Sequence, residues 1–128
     1  MRRLPAFLLT CILAAASTAA PLSPAVKTEI DGLMSRLEAS GCQFNRNGTW
    51  YSGTEAKSHL LRKLKYLEDR GAVQSTEQFI ESGASNSRAT EQPYFVRCGI
   101  GAPVPSRTWL LSQLQAMRSA GRAKSTSP

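Results

Sequence analysis

The spacing of hydrophobic positions changes several times along the chain, and each change marks an element. Val26, Ile30, Leu33, Met34 and Leu37 recur three or four residues apart, as the buried face of an amphipathic helix requires. Ser23-Pro24 supplies an N-cap with proline at the first helical position, and Gly41 a left-handed stop. From Cys42 to Tyr51 β-prone residues flank Asn47-Gly48, a pair suited to a type I′ turn because both of its central positions take positive φ. This predicts a β-hairpin. Helical spacing returns at Leu60, Leu61, Leu64 and Leu67, for a second helix capped by Thr54 and stopped by Gly71. Ser75 and Gln78 stand at capping-box spacing before a short third helix that turns Phe79 and Ile80 inward.

Residues 82–92 are small and polar and predict a loop. Residues 93–98 read as a third strand with Pro93 at its edge, and 99–105 as a Gly/Pro loop. Ser106 is expected to cap a fourth helix that buries Trp109, Leu110, Leu114 and Met117. Residues 121–128 have nothing to bury and are expected to form a disordered tail. The order predicts an α+β fold, a single small domain of about four helices packed on a three-stranded antiparallel sheet. With the late strand beside the first strand of the hairpin, the strand order is 2-1-3.

The N-terminal segment stands outside this pattern. Arg2-Arg3, an apolar run from Leu4 to Ala16 and the small residues Ser17-Thr18-Ala19 have the three-part layout of a cleavable signal peptide. The run is shorter than the about 20 apolar residues a membrane span needs, and it contains Pro5. A twin-arginine signal and a lipoprotein box at Leu8-Leu9-Thr10-Cys11 are poorer matches. The division is therefore 1–19 signal peptide, 20–120 single domain and 121–128 tail, with a periplasmic or secreted location and no stable membrane insertion of the mature chain.

Losing Arg2, Arg3 and Cys11 with the leader lowers the net charge from +7 to +5 and leaves two cysteines, Cys42 and Cys98. An even pair far apart in an oxidising compartment is expected to form a structural disulfide. Two separated cysteines and one histidine make a poor zinc set, so no metal and no cofactor is expected. The basic residues are scattered rather than interleaved with aromatics, which argues against nucleic acid.

The ordered series Phe44-x-Arg46-Asn47-Gly48, Glu55-Ala56-x-x-His59-Leu60-x-x-Lys63-Leu64, Ser75-Thr76-Glu77-Gln78-Phe79-Ile80 and Pro93-Tyr94-x-Val96 resembles the YfeK-like family of small exported bacterial proteins of unknown function. The resemblance covers residues 26 to 115. It implies a periplasmic location and carries no catalytic assignment.

Candidate chemistry gathers on one flank of the second helix. Glu55, His59, Lys63, Tyr66 and Arg70 follow at helical spacing, which lets Glu55 orient the His59 imidazole and forms a ladder able to hold an anion or move a proton. The plainer reading is a row of surface pairs on a solvated helix flank. Arg46 at the hairpin either clamps an anionic group or pairs with an acid such as Glu55 to lock the hairpin to the helix. Ser82, Ser85 and Ser87 lack a nucleophile-elbow context, and no catalytic residue is assigned. Arg46, Glu55, His59, Lys63 and Tyr66 are thus the candidate binding residues. They suit a non-enzymatic periplasmic binding or interaction protein for an unidentified protein, peptide or anionic envelope component. The alternative is a small hydrolase or transferase using His59 with Glu55 or Lys63.

Overall fold

The computed structural model describes residues 2–6, 10–12 and 21–126. The predicted cleavage site and most of the apolar run of the expected signal peptide lie outside the described residues, as do 127 and 128. Within them the elements run α1 (Pro24–Ala39), β1 (Gln43–Arg46), β2 (Thr49–Tyr51), α2 (Gly53–Asp69), α3 (Thr76–Gly83), β3 (Phe95–Arg97), β4 (Val104–Pro105) and α4 (Ser106–Thr126). The Ser23 hydroxyl accepts from the Val26 amide at the start of α1, and Gly41 takes φ 71° just beyond its end. Asn47 and Gly48 take φ 52° and 84°, so the β1–β2 turn has the two positive angles that the Asn-Gly pair allows.

The sheet is antiparallel in the order β2-β1-β3-β4, and it therefore has four strands where three were expected. The added strand is only two residues long. Val104 pairs with Val96 and Pro105 with Phe95 at the sheet edge, where a proline without a ladder N–H is tolerated. Two residues carry no readable alternation, which is why the segment looked like a Gly/Pro loop.

All four helices meet around one apolar core. Ile30, Leu33, Met34 and Leu37 of α1 pack with Leu60, Leu64, Phe79, Ile80, Leu110 and Leu114, and the sheet adds Phe44 and Val96. Arg118 fastens three helices at the surface, since its guanidinium donates to Glu29 of α1 at 2.8 Å and to Glu77 of α3 at 2.5 Å. Two caps differ from expectation. Ser52, rather than Thr54, caps α2, and the buried Ser106 hydroxyl donates to the Ala84 carbonyl instead of capping α4. The last helix also continues through the expected tail to Thr126, with residues 121–125 exposed. Alanine and the basic residues there favour helix, so it propagates beyond the packed turns without burying anything.

Cys42 and Cys98 are joined by a disulfide, with Cα atoms 4.2 Å apart. Gln43 pairs with Arg97 in the β1–β3 ladder, so the two cysteines stand opposite each other one step beyond it.

Candidate functional site

Side chains alternate along a strand, so Arg46 leaves β1 on the same side as the buried Phe44, toward α2. There it meets His59. Arg46 Nη1 lies 2.7 Å from Nδ1 and 3.1 Å from Nε2 of the imidazole, and its guanidinium carbon sits 5.3 Å from the centre of the Tyr51 ring. A neutral imidazole has one acceptor nitrogen. Burial, with Arg46, Lys63 and Arg62 nearby, pushes the His59 pKa down to about 4, so the ring is neutral at pH 7 and Nδ1 can accept from the arginine. That tautomer leaves Nε2–H to face the Tyr94 hydroxyl oxygen at 3.5 Å.

Lys63 stands one turn further along α2. Its Nζ donates to the Tyr94 hydroxyl and to the Asn86 carbonyl, each at 3.0 Å. Burial first, then Arg88 and Arg46, lowers its pKa to about 8. Burial raises that of Tyr94 against the pull of Arg46, so the phenol keeps its proton. With its oxygen accepting from Lys63 and His59, the phenol retains one proton to donate.

The segment between α3 and β3 closes the other wall. The Tyr94 amide donates to Ser85 O, the Ser87 amide to Gln92 O, and Glu91 takes φ 57° in the turn between them. The hairpin holds this segment through Asn47, whose side-chain oxygen accepts from Thr90 Oγ1 at 2.7 Å and whose amide faces Ser87 Oγ at 3.4 Å. Arg88 is thereby placed 4.8 Å from the Tyr66 ring centre, while Arg70 covers the same ring at 3.5 Å.

The result is a cleft of about 700 Å³ between hairpin, α2 and the 84–94 segment, lined by Arg46, Arg62, Lys63, Arg88, Tyr66 and Tyr94 among others. No acidic side chain is among its lining residues. A second recess of about 310 Å³ adjoins it, where Arg46, His59 and Arg62 recur beside Phe44, Tyr51 and Ala56. Four cations around one cavity set up a potential that attracts and orients an anion. Among the described residues no group of three or more His, Cys, Asp or Glu side chains is arranged to hold a metal ion. No described helix is long and apolar enough to cross a membrane.

Of the candidate residues read from the sequence, Arg46, His59, Lys63 and Tyr66 line this cleft together. Glu55 does not orient His59. It closes the N-terminus of α2, where its amide donates to Ser52 Oγ at 3.2 Å and its carboxylate accepts from the same hydroxyl at 3.1 Å. The hydroxyl of the N-cap serine takes up the carboxylate that the i, i+4 spacing assigned to His59, and Arg46 meets the imidazole instead of the acid. The Ser85 hydroxyl is likewise occupied, donating to Ile80 O at 2.6 Å.

Arg62, Arg88 and Tyr94 were not among the candidates. Arg62 follows His59 by three residues on α2, a spacing that could have marked it. Arg88 lies in an irregular segment without periodicity, and Tyr94 is 2% exposed and resembles any core aromatic.

The model of a protein family described as a family of unknown function (DUF5329) matches residues 24–118. No curated protein and no solved structure matches the chain.

Proposed function

The chain belongs to that family of unknown function, and we propose from its own geometry that it is a non-enzymatic binding protein whose basic cleft takes an anionic ligand. One observation carries this reading: Arg46, Arg62, Lys63 and Arg88 line a single cleft that has no acidic residue in its wall. The charged groups lining the cavity are all donors. Guanidinium and ammonium groups form the strong, short hydrogen bonds that carboxylates and phosphate-like oxyanions accept, and the Tyr94 hydroxyl adds a neutral donor. We further propose that the protein works in the periplasm or outside the cell. The leader-like N-terminus, the resemblance to the exported YfeK-like proteins and a disulfide suited to an oxidising compartment support that location.

Sulfate titration followed by amide chemical shifts tests the binding reading. Saturable shifts should cluster at residues 46–47, 59–63 and 87–89, and Arg46→Met should weaken binding on the order of tenfold, the worth of one hydrogen bond to a charged group. Unsaturable shifts spread over exposed arginines elsewhere, such as Arg107 and Arg122, would reject it.

A hydrolase or transferase remains the second reading, favoured by the neutral His59 and the depressed Lys63, which meet at the Tyr94 hydroxyl. It requires an activity that His59→Ala abolishes in a folded protein. An activity unchanged by that substitution would remove the histidine from any mechanism.

A further inference from the structure

The basic cleft and the smaller recess are not independent cavities. Arg46, His59 and Arg62 belong to the walls of both. Beyond that shared rim the lining changes character. The cleft continues toward Lys63 and Arg88, whereas the recess runs toward Phe44, Tyr51 and Ala56. Phe44 and Ala56 are core residues, 1% and 2% exposed, so this recess is a dent that reaches the hydrophobic core. Water in such a place is readily displaced by an apolar group.

The far wall adds a polarity. Glu55 lines the recess and is absent from the lining of the cleft. A second negative charge placed in the recess would meet that carboxylate as well as Arg46 and Arg62, whereas no acidic side chain opposes the same charge in the cleft. The two cavities together therefore select a molecule with its charge at one end and an apolar body at the other.

On the premise that the cleft binds anions, we propose that its ligand is a small oxyanion carrying an aromatic or compact apolar group. The oxyanion sits among Arg46, Lys63 and Tyr94, and the apolar group passes the shared rim to lie against Tyr51 and Phe44. The recess, at about 310 Å³, has room for a single ring. Arg46 takes part in both halves, since its guanidinium lies against the Tyr51 ring as well as the imidazole.

Phenylacetate, acetate, phenylethanol and sulfate form the test series, each titrated into the full chain and followed by amide shifts. Phenylacetate should bind at least about tenfold more tightly than acetate, because burying a ring removes apolar surface from water. It should also outcompete the neutral phenylethanol, and it should shift the amides of Phe44, Tyr51 and Ala56, which sulfate leaves in place. Two variants locate the ring: Tyr51→Ala removes its wall, and Ser58→Trp, at an exposed position lining the recess, fills it. In either folded variant the preference for phenylacetate over acetate should collapse, and in Ser58→Trp, which leaves the contact between Arg46 and Tyr51 in place, sulfate affinity should be unchanged.

Equal binding of acetate and phenylacetate, with sulfate still saturable at the cleft, would overturn this inference and leave the anion-binding reading standing. A preference that survives both substitutions would overturn it as well, because the ring would then lie elsewhere. Absence of binding by sulfate and both carboxylates would defeat the anion-binding reading itself, and this inference with it.

Discussion

Lys63 holds its charge in surroundings that oppose it. Burial removes solvent from the ammonium and Arg88 and Arg46 repel it, which brings its pKa to about 8, while the Tyr94 hydroxyl and the Asn86 carbonyl hold it in place. The ammonium therefore helps an anion bind below about pH 8 and ceases to do so above it, since the lowered pKa favours the uncharged amine. His59 is already neutral through this range and Tyr94 stays protonated, so Lys63 is the group among these that titrates there. Sulfate affinity should fall on the order of tenfold from about pH 7 to about pH 9.5, as one charged hydrogen bond is lost. Lys63→Arg should remove most of that fall, because a guanidinium stays charged across the range. An affinity that is flat with pH in the parent protein, or that falls equally in the variant, would show that Lys63 does not meet the anion. Helical spacing was enough to place His59, Lys63 and Tyr66 on one flank, and the hairpin signal put Arg46 within range. It could not show which partner each side chain would choose. Glu55 had two geometrically sound partners, His59 one turn ahead and Ser52 behind it, and its carboxylate bonds the Ser52 hydroxyl, the same group that caps its own amide.

The elements divide by length in how well their residues announce them. The first, second and fourth helices each run several turns, so the apolar stripe repeats often enough to identify both element and buried face, and the Asn-Gly turn identifies the hairpin through its backbone angles alone. The two-residue β4 and the 84–94 segment have no such repetition; they are fixed by pairing with residues outside themselves, Val96 for the one and Asn47 for the other. Gly53 shows a similar dependence on context. It opens α2, and a Cβ at this position would stand 2.6 Å from the Leu37 carbonyl oxygen and 3.0 Å from the Glu38 Cα, both backbone atoms of α1. Intrinsic propensity favours alanine over glycine in a helix by about 1 kcal/mol. Here the close approach should reverse the sign, and Gly53→Ala should destabilise the protein by about 1–3 kcal/mol as α1 and α2 are forced apart. Urea unfolding with an unchanged m-value measures it. A gain in stability would mean that the two helices are not in contact at this point.

Across the whole molecule, stability and the candidate cleft are attached to opposite ends of the same strand. Cys42 precedes β1 and its disulfide partner Cys98 follows β3, whereas Arg46 ends β1 and Tyr94 precedes β3. The bond links residues separated by 56 positions, and a covalent closure of that span lowers the entropy of the unfolded chain, which amounts to roughly 4 kcal/mol in the loop-closure model. The cleft does not depend on the bond for its local geometry. Arg46 is held by His59 and Tyr51, Lys63 by Tyr94 and Asn86, and the 84–94 segment by Asn47. The β1–β3 ladder itself retains three residue pairs, Gln43 with Arg97, Phe44 with Val96 and Asn45 with Phe95. Replacing both cysteines by serine should therefore lower the unfolding free energy by several kcal/mol, of the order of the loop-closure value, and leave sulfate binding intact under conditions where the variant remains folded. Urea titration of the oxidised parent and the double variant gives the first quantity, and the amide shifts at residues 46–47, 59–63 and 87–89 give the second. If binding disappears while the fold persists, strand pairing at the disulfide end sets the position of Arg46, and the bond belongs to the cleft as much as to the core.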